Sequence, residues 1–231
     1  MTDDGAAGAA ERGLRRDAQR NRERIVEAAR ALYAERGLAV GFNEIAHRAG
    51  VGVGTVYNRF ADKDELVRAA LQEPARELLR VAEDARATTR ARDGLVLLLD
   101  RIVALLAANL GLRDIALTFD ESTLPEPGPV IGDAITDLLG RAAAEGDLRD
   151  GVGIHDLVVV FWMVTEVARH TPDHPETYRR YLQLLVDGLT SAGATLDVPA
   201  SPEATAELSQ SWALRGVDSS SRRHRTSEQG R

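Results

Sequence analysis

The chain has no cysteine among its 231 residues. That excludes a disulfide framework and any thiolate metal site. It has little lysine: Lys63 is the only one, and every other basic side chain apart from histidine is arginine. Aromatic residues make up 4% of the sequence, so each large ring marks a position where packing or recognition needs one. Long apolar runs are also missing. The longest, Leu157 to Val164, falls far short of the roughly 20 residues a membrane-spanning helix needs. The first residues, MTDDGAAGAA, lack the basic and apolar regions of a signal peptide. These absences lead to the expectation of a soluble, cytoplasmic protein with no membrane partner.

Positive charge is scarce overall, with a formal net charge of −7, but it is unevenly placed. From Arg12 to Arg68 there are twelve Lys/Arg against eight Asp/Glu; from Leu71 to Ala200 there are twelve against twenty-one. A basic part beside an acidic remainder is the distribution expected of a chain that presents one end to nucleic acid.

The basic part contains the most informative stretch, GFNEIAHRAGVGVGTVYNRFADK, from Gly41 to Lys63. Phe42, Ile45, Ala46 and Ala49 repeat at i, i+3, i+4 and i+7, which predicts a short helix with one apolar face. Asn43, Glu44, His47 and Arg48 take its polar face. Gly50 stands where a left-handed residue is needed to end that helix. Val51 plugs the turn, and Gly52 is in the N-cap position of a second helix, Val53 to about Asn58. Val56 and Phe60 turn inward, leaving Val53, Gly54, Tyr57 and Asn58 on the opposite face. Small residues at the start of that helix allow close approach to base edges, and Thr55 and Tyr57 can donate to phosphates. Asp62 followed by Glu65 makes a capping-box-like start for the next helix, with Lys63 at its phosphate-attracting N-terminus. Two helices joined by a tight glycine turn in this way form a helix-turn-helix (HTH) spanning about 41–60.

The order Ile45-Ala46, Ala49-Gly50-Val51, Gly54-Thr55-Val56-Tyr57, Phe60, Lys63 and Leu66 resembles the HTH signature of the TetR family of bacterial repressors. The resemblance implies phosphate contacts for Thr55, Tyr57 and Lys63, and places Val53, Gly54 and Asn58 at or near the bases. Asn43 and Arg48, on the polar face of the preceding helix, complete the expected DNA-contacting set. The family often has Ser or Thr where Gly41 stands and Ser where Gly52 stands, so weaker caps and fewer hydroxyl contacts are expected here. The triplet Gly50, Gly52 and Gly54 superficially resembles a nucleotide-binding loop, but no strand precedes it and the third glycine is misplaced.

Residues 1–11 are expected to be disordered. Six arginines lie between Arg12 and Arg24, either as a solvated helix start or as an arm reaching DNA phosphates. Ile25, Ala28, Ala29, Leu32 and Tyr33 then predict a long first helix ended by Gly37. A helix from Asp62 should end or kink at Pro74, which lacks a donor and clashes one turn back. Further helices are expected at 75–90, 94–109, 111–119, 130–145, 155–170 and 175–192, with STLPEPGPV as a loop. The stretches GDL (Gly146 to Leu148) and RRYLQLLVDGL (Arg179 to Leu189) resemble the C-terminal domains of SbtR-like members of the same family. That resemblance implies a homodimer in which the last two helices form a four-helix bundle with their copies. Residues 196–231, rich in Ser and Arg, read as a disordered tail around the lone Trp212.

No catalytic constellation is legible. His170 and His174 have metal-pair spacing, but Pro172 and Pro175 break the helix there and no third ligand is near. Neither a metal nor a cofactor is expected. A helical second domain without chemistry of its own suggests a ligand pocket. Phe119, Trp162 and Met163 are its candidate wall residues, each equally at home as plain core. Glu166, if buried there, would imply a cationic ligand; on a polar stripe it would imply nothing.

The expectation is an all-α protein with an HTH DNA-binding domain over 12–70 and a regulatory and dimerisation domain over 71–195. It would be a non-enzymatic, ligand-responsive transcriptional repressor, bound as a homodimer to a palindromic double-stranded DNA operator and released by a small-molecule effector. A regulator controlled by a protein partner, or an activator, is the alternative; the former predicts no apolar cavity in the second domain.

Overall fold

The computed structural model describes residues 4–118 and 127–190, with four further positions, 201, 203, 204 and 207. Among the described residues there are nine α-helices and no strand. They are α1 (Asp4–Arg36), α2 (Phe42–Ala49), α3 (Val53–Tyr57), α4 (Lys63–Arg86), α5 (Ala91–Ala108), α6 (Leu110–Thr118), α7 (Pro127–Ala144), α8 (Ile154–His170) and α9 (Pro175–Leu189). Phe119, Trp212 and nearly all of the expected tail lie outside the described residues.

Three boundaries differ from expectation. Helix α1 begins at Asp4, inside the stretch expected to be disordered; its four alanines there have the highest helix propensity. Helix α7 begins at Pro127, inside the expected loop, because proline is tolerated in a first turn. Helix α4 runs unbroken through Pro74. The proline leaves the Ala70 carbonyl without its usual amide donor, and the Arg30 guanidinium of α1 supplies one instead, Nε donating at 3.3 Å.

The buried side chains form two clusters. The first joins α1, α2 and α3 to the start of α4, around Ile25, Tyr33, Ile45, Val56, Phe60 and Leu66. The second joins the rest of α4 to α5, α7, α8 and α9, around Ala82, Leu98, Val103, Leu138, Leu157 and Leu182. Among the described residues, only α4 and α6 feed both: Leu66, Val67, Ala70 and Leu71 of α4 with Ile115 of α6 enter the first, and Leu78, Val81, Ala82 and Ala85 with Leu112 enter the second.

Helix ends are satisfied across elements. Arg141 of α7 donates to the Arg86 and Thr88 carbonyls that close α4, at 2.9 and 2.7 Å. Glu145 accepts from the first amide of α5 at 3.1 Å. Among the described residues no single helix is long and apolar enough to cross a membrane; α5 and α6 are bent by 119° at Asn109.

Candidate functional site

Helices α2 and α3 form a tight unit. Gly50 closes α2 in the left-handed region at φ 64°, and the amide of Val51 donates back to the Ala46 carbonyl at 3.0 Å. Both helices start on glycine, so no side chain caps them. At α2 the Glu44 carboxylate reaches back toward the Gly41 amide at 3.5 Å, a long and weak bond. At α4 the cap is full: the Glu65 amide donates to Asp62 Oδ1 at 2.7 Å, and the Glu65 carboxylate accepts from Ala61 at 2.9 Å.

On this frame α3 presents a small, solvent-facing tip. Val53 is 40% and Tyr57 63% exposed, and Gly54 and Asn58 are exposed beside them. Thr55 is half-buried, while Val56 and Phe60 anchor the helix beneath. Asn43 is exposed on α2; Arg48 is also exposed and pairs with Glu35 at 3.2 Å. Sequence reasoning placed Phe42 only on the inner face. Its ring in fact meets that of Tyr57 edge-on, with centroids 5.0 Å apart, which fixes the tyrosine's direction. The end of the arginine run is tied to the same unit: Arg22 lies over the Phe60 ring at 5.1 Å, and Arg24 donates to the Gly50 carbonyl at 3.4 Å.

Lys63 is engaged within the molecule. Its ammonium donates to the Leu38 carbonyl, and burial pulls its pKa down, partly offset by the neighbouring Asp64 charge. The amide of the same residue, Leu38, donates to the Asp114 carboxylate of α6 at 2.9 Å. Burial raises the Asp114 pKa, opposed by that hydrogen bond and by the Arg113 charge. One peptide residue thus joins the start of α4 to α6. Close by, Gly111 packs so tightly on Tyr33 that a Cβ there would meet the Tyr33 Cβ at 3.0 Å. Burial, with the Asp64 charge adding, pushes the Tyr33 phenol up to about 12.

The second cluster encloses a cavity of about 300 Å³. Leu78 of α4, Leu99, Ile102 and Leu106 of α5, Leu112 and Ile115 of α6, Ile131 and Ile135 of α7, and Leu157, Phe161 and Trp162 of α8 are in its wall. Of the three expected wall residues that lie among the described ones, Trp162 borders this cavity, and Trp162, Met163 and Glu166 together line a second, shallower pocket with Val167, His170 and Thr171. Met163 lies one position on, turned about 100° around the helix, and is 42% exposed. Glu166 sits beyond the cavity's end at the surface, where its carboxylate accepts from Arg169 Nε at 3.1 Å. That hydrogen bond is the main reason its pKa is lowered. Glu166 is exposed, so the burial that would imply a cationic ligand is not met. Among the described residues no group of three or more metal-ligating side chains converges.

Comparison with known proteins places both halves. Residues 25–70 match the model of bacterial regulatory proteins, tetR family, and residues 90–191 match the transcriptional regulator SbtR-like C-terminal domain. An HTH-type transcriptional regulator of Staphylococcus aureus (strain USA300) is 42% identical over 60 residues, which is 26% of this chain and 32% of the relative. The match thus spans about a third of that protein's length. Among solved structures, a TetR transcriptional regulator from Streptomyces coelicolor is 28% identical, with a TM-score of 0.51 over 75% of this chain and 99% of the other. FadR from Bacillus subtilis, solved with stearoyl-CoA, shares the fold at 19% identity and a TM-score of 0.54, covering 72% of this chain and 98% of its own. The relatives are transcriptional regulators rather than enzymes.

Proposed function

Since the chain belongs to the TetR family of bacterial regulatory proteins, we propose that it is a ligand-responsive transcriptional repressor, binding a palindromic operator as a cytoplasmic homodimer. The observation that carries the proposal is the exposed tip of α3, with Val53, Gly54, Tyr57 and Asn58 free at the surface above a closed core. Val53, Gly54 and Asn58 would meet the bases, while Thr55, Tyr57, Lys63, Asn43 and Arg48 would position the unit on phosphates. An ammonium has three donors, so Lys63 can keep Leu38 and still reach a phosphate.

The DNA-binding domain in this reading is 12–70, and 71–195 is the regulatory and dimerisation domain. Exposed apolar side chains on the last two helices, Tyr181 at 49%, Leu184 at 54% and Met163, support pairing of α8 and α9 with their copies. A two-fold dimer suits a palindrome.

The apolar cavity favours a small-molecule effector over control by a protein partner, which predicts no such space. Ligand acts by binding one arrangement of the helices more tightly than another. Helix α6 is the natural carrier of that difference: Leu112, Ile115 and Ala116 touch the cavity, while Asp114, on the same helix, holds Leu38. A shift of α6 would disturb the Leu38 link and, with it, the seat of Lys63.

Fluorescence anisotropy with DNA flanking the protein's own gene tests the proposal. Saturable dimeric binding that weakens steeply with salt, and is weaker on unrelated DNA, supports it. Equal binding to all sequences speaks against a specific operator.

A further inference from the structure

The lining of the cavity narrows the chemistry of its ligand, an inference that rests on the ligand-responsive reading above. None of the sixteen described residues that line it is charged, and the indole of Trp162 is the one polar side chain among them. Charged groups on the same helices are engaged elsewhere, Asp114 with the Leu38 amide and Glu166 with Arg169. A charged or hydroxylic group carried inside would lose its hydration and find almost nothing to replace it.

The walls differ in exposure. Leu99, Leu106 and Leu157 are buried, whereas Gly128 and Ile154, at the first turns of α7 and α8, are exposed. The cavity therefore reaches the surface between those two turns. Its volume of about 300 Å³ is roughly twice that of an engineered apolar cavity that holds benzene, room for about a dozen non-hydrogen atoms. We propose that it takes an uncharged aliphatic segment of that size, hydrocarbon end inward, with any polar group left at the mouth between Gly128 and Ile154.

The full chain carrying Trp212→Phe keeps Trp162 as its only indole, so Trp162 emission reports the cavity. The probes are 1-dodecanol and 1,12-dodecanediol, which share one carbon chain and differ by a single terminal hydroxyl. The alcohol leaves its hydroxyl at the mouth; the diol must bury one. Saturable binding of the alcohol, with the diol at least about tenfold weaker, is expected from one unpaired buried hydroxyl. Gly132 lies in the cavity wall and a Cβ there meets nothing within 4 Å, so Gly132→Leu should fill the space and abolish the response. Gly140→Leu, on the same helix but outside the lining, should leave it unchanged, and far-UV circular dichroism confirms that both variants fold. Equal affinity for the two probes, no response up to the solubility limit, or a response that survives Gly132→Leu overturns the proposal. Operator binding by the unliganded protein is measured separately, so a failed regulator reading is distinguishable from a wrong ligand class.

Discussion

Around Ile45 and Phe60 the side chains close on one another, whereas around Leu99 and Leu157 they stand back and leave about 300 Å³ empty. The first region has a surplus of positive charge and the second a deficit. A unit that must hold a recognition helix in a fixed direction gains from dense packing, because packed cores resist continuous deformation. A unit that receives a ligand must leave apolar surface unpaired, and so forgoes part of its own stability. The two meet at α4 and α6, where one residue, Leu38, is held by Lys63 from one side and Asp114 from the other.

The difference in packing is open to direct attack. Phe60 is 1% exposed, and Phe60→Ala should cost about 3–5 kcal/mol and abolish DNA binding. Leu99 is as buried, at 2%, but it borders the cavity and already lacks partners on one side. Leu99→Ala should cost about 2 kcal/mol, the low end for such a truncation. Urea denaturation of both variants checks this, and equal costs would erase the distinction between the regions.

Two glycines in the second region sharpen the same contrast. A Cβ at Gly94 would sit 2.6 Å from the Ala85 carbonyl and from Leu138, so Gly94→Ala should destabilise by about 1–3 kcal/mol. At Gly132, on the cavity wall, nothing lies within 4 Å, and Gly132→Ala should stabilise by about 0.5–1 kcal/mol through helix propensity. Opposite shifts of the thermal midpoint are the expected result; shifts of the same sign would mean that the space at Gly132 is not there.

Tyr57 tests the first region's function apart from its stability. It is 63% exposed, so Tyr57→Ala should leave the melting temperature unchanged. Loss of a hydrogen bond to a charged phosphate should weaken operator binding about tenfold, read by anisotropy. Unchanged affinity would mean that α3 docks with another face.

How far the sequence revealed each region follows from the same contrast. The α2–α3 unit is held by local features, namely apolar spacing, the Gly50 turn and the Asp62 cap, and all of these are legible in the sequence. The cavity is made where α4, α5, α6, α7 and α8 converge, and no local pattern shows which faces meet. Trp162, which borders the cavity, stands out in the sequence because it is large and rare; Leu99, Ile102 and Leu106 look like any apolar stripe. The Phe42–Tyr57 contact and the rescue of the Ala70 carbonyl by Arg30 depend on side chains crossing between helices, which spacing alone does not predict. The sequence points to an end or kink at Pro74 because the partner that satisfies the Ala70 carbonyl lies forty residues before that carbonyl.

The smallest effect concerns the seam. Burial raises the Asp114 pKa, so the folded chain keeps that proton to higher pH than the unfolded one. The stability from this preference is present at low pH and lost as pH rises through the folded-state titration. Relative to Asp114→Asn, the wild type should therefore lose stability as pH rises above the ordinary aspartate value of about 4, measured by urea denaturation across the acidic range. A difference that grows with pH would show that the Leu38 amide and Arg113 outweigh burial, with the ionised carboxylate favoured at the seam.

The proposed function stands on the tip of α3 reading a two-fold symmetric DNA site. Its most direct test is selection of bound sequences from a pool of random duplexes by the purified full chain. Enrichment of one inverted repeat, lost in Tyr57→Ala, is the expected result. Recovery of no shared sequence, or of a single half-site without its symmetric mate, would contradict it.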